Sequence, residues 1–170
     1  MAEKKIFVLD ASVVVKWFTR EPLREEAAAI RQMYLEGAIE LEAPSLLFYE
    51  VINALRYNPV LGSEDVKKAA KLLEDMQITI HDFTEQLALK TIEIAYRYGI
   101  TIYDAAYVAL TMIRDAILYT ADEEIVSKIS KGNVKHLKEF RTSNGLLHDS
   151  GGRNDEDECD VRKKGERVRK

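Results

Sequence analysis

Ile6-Phe7-Val8-Leu9-Asp10-Ala11-Ser12 is the stretch that decides the fold. Four apolar residues in a row, without the alternation of a half-exposed strand, suit a strand covered on both faces of a parallel sheet. An acid stands directly behind them. The same arrangement returns at Ala116-Ile117-Leu118-Tyr119-Thr120, with Asp122 two residues on. Further strand-length runs lie at 39–43, 77–81 and 134–137. Between them the apolar residues recur at helical spacing. Helices are expected over 11–19 and over 24–36, the latter ending at Gly37 as a left-handed cap. Another runs from Pro44-Ser45 through Tyr57, with Leu47, Val51, Ala54 and Leu55 on one face and Pro59 behind it. Others cover 63–76, 84–98 (stopped by Gly99), 104–115 and 122–130. This alternation predicts an α/β protein, a three-layer α/β/α sandwich with a central mostly parallel sheet.

The 170 residues carry 25 Lys+Arg against 29 Asp+Glu, a formal net charge of −4, which argues against binding nucleic acid through a broad basic face. Residues 1–140 hold 17 basic and 22 acidic side chains, and 141–170 hold 8 and 7. The second segment combines Ser-Asn-Gly and Ser-Gly-Gly with an acidic block and a basic end, and offers little to bury. It reads as a charged, disordered tail on a domain formed by 1–140. No apolar run approaches the roughly 20 residues of a membrane helix, and Met1-Ala2-Glu3-Lys4-Lys5 opens no signal-peptide core, so a cytoplasmic protein is expected. The single cysteine, Cys159, excludes an internal disulfide and a Cys-based zinc cluster; three scattered histidines, His81, His136 and His148, make a His-rich site a poor fit. Any metal would be held by oxygen.

Four acids occupy positions where their neighbours call for burial. Asp10 and Asp122 follow strands, Asp104 opens a helix after Ile100-Thr101-Ile102-Tyr103, and Glu50 interrupts Leu46-Leu47-Phe48-Tyr49 and Val51-Ile52. Each aspartate alone is explained by helix N-capping, worth about 1 kcal/mol over Ala. Glu50 is not, because it lies inside a helix. The positions three and four away (Leu46, Leu47, Asn53, Ala54) hold no Lys or Arg to pair with it. Carboxylates gathered at the carboxyl ends of parallel strands repel unless a cation joins them. Hard ions such as Mg²⁺ or Mn²⁺ suit that donor set and lead to phosphoryl-transfer chemistry. Nucleophile elbows, H-E-x-x-H and Gly-rich phosphate loops are absent, and Ser12 stands where a phosphoaspartate enzyme would carry its second acid.

Taken in order, Ile6 to Trp17, Pro44 to Leu55, Ile102 to Leu110 and Leu118 to Asp122 resemble the motifs of PIN-domain nucleases, specifically VapC-type toxins of VapBC toxin-antitoxin systems. The resemblance spans roughly residues 5–138. It implies a Mg²⁺- or Mn²⁺-dependent endoribonuclease in which Asp10, Glu50, Asp104 and Asp122 hold the metal. Ser12 and Thr120 fill the family's hydroxyl positions beside the acids, and Asn53 matches a polar position one turn after Glu50. Glu123 and Glu124 fall outside the motif register and read as solvated charges at a helix start. The resemblance further implies an RNA substrate, a VapB-type antitoxin and a homodimer. Two alternatives accompany it: an RNA-processing or rRNA-maturation nuclease without an antitoxin, and a catalytically silent protein-binding module of the same fold. Trp17, Phe18, Phe48, Tyr49, Tyr103 and Tyr107 read as core or dimer interface ahead of base stacking. Lys16, Arg20, Arg56 and Arg97 read as solvated charges ahead of an RNA groove.

Overall fold

A computed structural model describes residues 4–129 and 131–140. The tail expected at 141–170, and with it Cys159 and His148, lies outside the described residues, as does Ser130 at the end of the last expected helix. Five strands, β1 (Lys5–Leu9), β2 (Ile39–Pro44), β3 (Thr79–His81), β4 (Ile117–Thr120) and β5 (Val134–His136), form one sheet in the order β3-β2-β1-β4-β5. Every pairing is parallel. The chain leaves β1 toward β2 and β3, then returns to lay β4 on the other side of β1, so the order reverses between β1 and β4. Consecutive residues Phe7, Val8 and Leu9 are all buried, as are Leu118, Tyr119 and Thr120. Side chains alternate between the two faces of a strand, so both faces are covered.

The cover comes from α1 (Ala11–Val14), which continues as a 3₁₀ turn at Val15–Trp17, and from α2 (Arg24–Leu35), α3 (Leu46–Arg56), α4 (Ser63–Asp75), α5 (Glu85–Tyr98), α6 (Ile102–Ile113) and α7 (Glu123–Lys128). Gly37 and Gly99 close α2 and α5 at φ of 71° and 61°, the left-handed region that a side chain strains to enter. Thr84 and Thr101 cap α5 and α6, each accepting the backbone N–H three residues on. Leu47, Val51 and Leu55 are buried along α3, whereas Ala54 is exposed, so the face is narrower than its periodicity implies. Trp17 donates its indole N–H to the Ala27 carbonyl at 2.9 Å and is core. Lys16 is buried and paired with Glu21 at 3.2 Å, which removes it from any groove. No helix among the described residues is long and apolar enough to cross a membrane.

One buried acid belongs to the scaffold. Glu42, in β2, is 2% exposed and accepts two bonds from Arg114 beyond α6, Nε to Oε2 at 2.8 Å and Nη2 to Oε1 at 2.9 Å. His81 Nε2 lies 2.7 Å from Oε2. Burial would raise this carboxyl, but the bonds and charges of Arg114 and His81 override it and hold Glu42 below its ordinary value.

Candidate active site

The site lies at the carboxyl ends of β1 and β4, where parallel sheets place their ligands because the neighbouring connections diverge. Asp10 follows β1 and caps α1: its Oδ1 accepts the Val13 N–H at 3.3 Å and the Ser12 hydroxyl at 2.5 Å. The Ser12 oxygen in turn accepts the Ala121 N–H at 2.8 Å, tying the turn after β1 to the turn after β4. Thr120 Oγ1 accepts the Asp122 N–H at 2.9 Å, and its side chain also hydrogen-bonds Asp10. Ser12 and Thr120 are thus both hydrogen-bonded to Asp10. Asp10 is 5% exposed, and burial pushes its carboxyl up to about 6 although four hydrogen bonds oppose the rise. Among the described residues, no Lys or Arg side chain hydrogen-bonds or ion-pairs with it.

Glu50 enters from α3. Burial raises its carboxyl, a bond from Tyr107 opposes this, and the charge of Asp104 raises it further. That bond runs from the Tyr107 hydroxyl to Glu50 Oε2 at 2.5 Å. Burial is the largest influence raising the Tyr107 phenol, followed by its bond to Glu50 and by the charges of Glu50, Asp10 and Asp104. Glu50 thus bonds this phenol, and Asp10 and Asp104 lie near enough for their charges to act on it. Asp104 is not the cap of α6, as its position suggests; Thr101 is, and Asp104 sits three residues on, its Oδ2 accepting the Thr101 hydroxyl at 2.6 Å. Asp122 caps α7 through Oδ1, which accepts the Glu124 and Ile125 N–H groups at 2.7 and 3.4 Å. Asn53 is exposed on α3, outside this network. Glu123 and Glu124 are exposed and paired with Lys138 and Lys128, as solvated charges would be.

Two residues join the acids beyond those expected: Thr101, and Tyr107, which is buried as a core reading implies but also bonds Glu50. Thr101 is signalled by its place three before an acid, the spacing of a capping box. Tyr107 is signalled by its place three after Asp104, on the same helix face. Among the described residues no three acid, histidine or cysteine side chains close into a ready metal cage. The donors nonetheless fit a hard divalent ion. All are carboxylates or hydroxyls, two of the carboxyls carry raised proton affinity, and among the described residues none of the four acids has a Lys or Arg in its hydrogen bonds or ion pairs.

Comparison with known proteins bears on this acid pocket. The sequence profile of the PIN domain matches residues 7–131. The chain belongs to the PIN-domain family. It is 30% identical over 126 residues to Ribonuclease VapC3 of Pyrobaculum aerophilum, covering 71% of this chain and 92% of that protein. Among solved structures it is similar to Mycobacterium tuberculosis VapC20, a sarcin-ricin-loop-cleaving toxin, with a TM-score of 0.60 at 16% identity, covering 76% of this chain and 97% of that one. VapBC2 of Rickettsia felis, solved on a DNA fragment from its promoter, gives 0.57 at 15% identity over 77% and 96% of the two chains. At these identities the structures speak for the fold. The kinship with a VapC ribonuclease makes this PIN domain a nuclease.

Proposed function

We propose that this PIN domain is a metal-dependent endoribonuclease and the toxin of a toxin-antitoxin pair. The observation that carries the reading is Asp10: a buried carboxylate at the point of strand reversal, without a cationic partner among the described residues, near Glu50 and Asp104. Asp10, Glu50, Asp104 and Asp122 would hold one or more Mg²⁺ or Mn²⁺ ions. The chemistry such an ion supplies is Lewis-acid stabilisation of charge on the scissile phosphate and activation of the attacking water. Ser12 and Thr120 keep Asp10 in place through their hydroxyls, and Thr101 does the same for Asp104. Asn53 is exposed one turn beyond Glu50, where the family carries a polar residue. The test is a mixed RNA pool incubated with the full chain in Mn²⁺ or in EDTA, with the cut ends mapped. Cleavage that needs Mn²⁺ supports the reading; cleavage undiminished in EDTA contradicts it.

A VapB-type antitoxin follows from the kinship, and rescue of growth by a co-expressed small antitoxin separates this reading from an antitoxin-free RNA-processing nuclease. The homodimer has its own support in an apolar face beside the site. A groove of about 430 Å³ between α5, α6 and the end of β3 opens there. Phe83 and Tyr103, 83% and 64% exposed, line it together with Ile92 and Ile102, and Tyr96, 86% exposed, stands one turn beyond Ile92 on α5. Ile92→Asp combined with Tyr96→Asp should convert the dimer to a monomer by light scattering.

A further inference from the structure

Tyr107 lies in α6 with 2% of its surface exposed, yet its hydroxyl reaches Glu50, a residue 57 positions away on another helix. A buried phenol needs an acceptor, and a neutral carbonyl would serve at no charge cost. Here the acceptor is a carboxylate that is itself partly withdrawn from water and stands beside Asp104. Glu50 lies on α3 with Tyr49, which is 80% exposed, as its immediate neighbour, so solvent is within reach of a glutamate side chain turned outward. The bond from Tyr107 opposes that turn and keeps the carboxylate with the other acids.

We propose that Tyr107 is a positioning residue for the acidic pocket: by donating its hydroxyl to Glu50 Oε2 it fixes Glu50 where it can share a divalent cation with Asp10 and Asp104. This rests on the reading of the four acids as a metal site. Tyr107 does not touch the substrate in this account; it acts through Glu50. Groups that hold a metal ligand in place typically affect metal affinity by 10- to 100-fold.

The test is calorimetric titration of Mn²⁺ into the full chain, for wild type, Tyr107→Phe, Glu50→Asp and the double variant, with the metal-free unfolding midpoint measured for each. Tyr107→Phe keeps the ring and removes only the donor. Glu50→Asp keeps the charge but shortens the reach to the phenol. The expected result is Mn²⁺ binding weakened about 10-fold by Tyr107→Phe, a comparable loss in Glu50→Asp, and little further loss in the double variant. Should Tyr107→Phe not fold, Tyr107→Met, which also lacks the donor and fills the ring's space flexibly, takes its place in the same titration, with the same loss expected and wild-type affinity overturning the proposal. Wild-type affinity in Tyr107→Phe, with only the unfolding midpoint lowered, would show a purely structural hydroxyl and overturn the proposal. A full 10-fold cost of Tyr107→Phe in the Glu50→Asp background would overturn it too, because the effect would not pass through Glu50. Absence of Mn²⁺ binding by the wild type would instead overturn the metal site itself, and the proposal with it.

Discussion

Glu42 and Glu50 are two glutamates withdrawn from water, and the chain treats them in opposite ways. Glu42, in the middle of β2, is met by the guanidinium of Arg114 and the imidazole of His81, and its carboxyl is held below its ordinary value. Glu50, at the open end of the sheet, is met by one neutral hydroxyl and faces Asp104, and its carboxyl is raised. Asp10 repeats the second pattern more strongly. A buried acid with cations around it has completed its electrostatics within the fold. One without them leaves its charge open to balance by a bound cation, and among the described residues Asp10 and Glu50 are of this second kind.

The sharpest way to break this comparison is to neutralise each glutamate in turn. Glu50→Gln should cut RNA cleavage on the order of 100-fold while leaving the metal-free unfolding midpoint unchanged or higher, since it removes a repelled charge. Glu42→Gln should do the reverse, keeping cleavage per folded molecule and lowering stability. Removing one partner of a buried pair costs about 3–5 kcal/mol, and the partial exposure of Arg114, 42% for its side chain, puts the expectation near the lower end. A Glu42→Gln protein with normal stability, or a Glu50→Gln protein that unfolds, would dissolve the distinction.

The pH dependence of stability sharpens it further. Glu42 has its carboxyl lowered, so its contribution is complete above the ordinary glutamate range and is lost as pH falls through and below that range. Asp10 has the opposite sign. Its carboxyl rises from 3.8 to about 6 on folding, so the metal-free protein gains stability from this group as pH falls through 6 toward 3.8. About two pH units correspond to on the order of 3 kcal/mol. Asp10→Asn should therefore be more stable than metal-free wild type at pH 7, with the advantage shrinking below pH 6 and gone near pH 4. Paired thermal melts across that range check it. The smallest effect expected concerns the proposed homodimer: Ile92→Asp with Tyr96→Asp should lower the particle mass by light scattering while each chain stays folded, because both side chains are exposed in the single chain.

Much of the fold was legible because its signals are local. Apolar runs end in acids at Asp10 and before Asp122, Gly37 and Gly99 stop helices, and Glu50 breaks an apolar helix face, so the parallel sheet and the four acids could be read from neighbours alone. What escaped depends on distance in sequence. Glu42 looks like any polar residue in a strand until Arg114, 72 positions on, is folded against it. Lys16 reads as a surface charge until Glu21 and the packing around it are in place. Tyr107 carries the face of a core residue and the hydroxyl of a site residue, and only the approach of α3 shows which matters. Local patterns locate charges, whereas the partners that decide their role are supplied by tertiary structure.

The central claim is that the acids left unbalanced by the fold are balanced by a divalent ion that RNA cleavage requires. It is tested most directly by comparing wild type and Asp10→Asn on a mixed RNA pool, first in EDTA and then with Mn²⁺ restored. The account predicts cleavage by wild type with Mn²⁺ alone, and none above background from the equally folded Asp10→Asn protein under either condition. Cleavage by Asp10→Asn at the wild-type rate, or by wild type in EDTA, would contradict it.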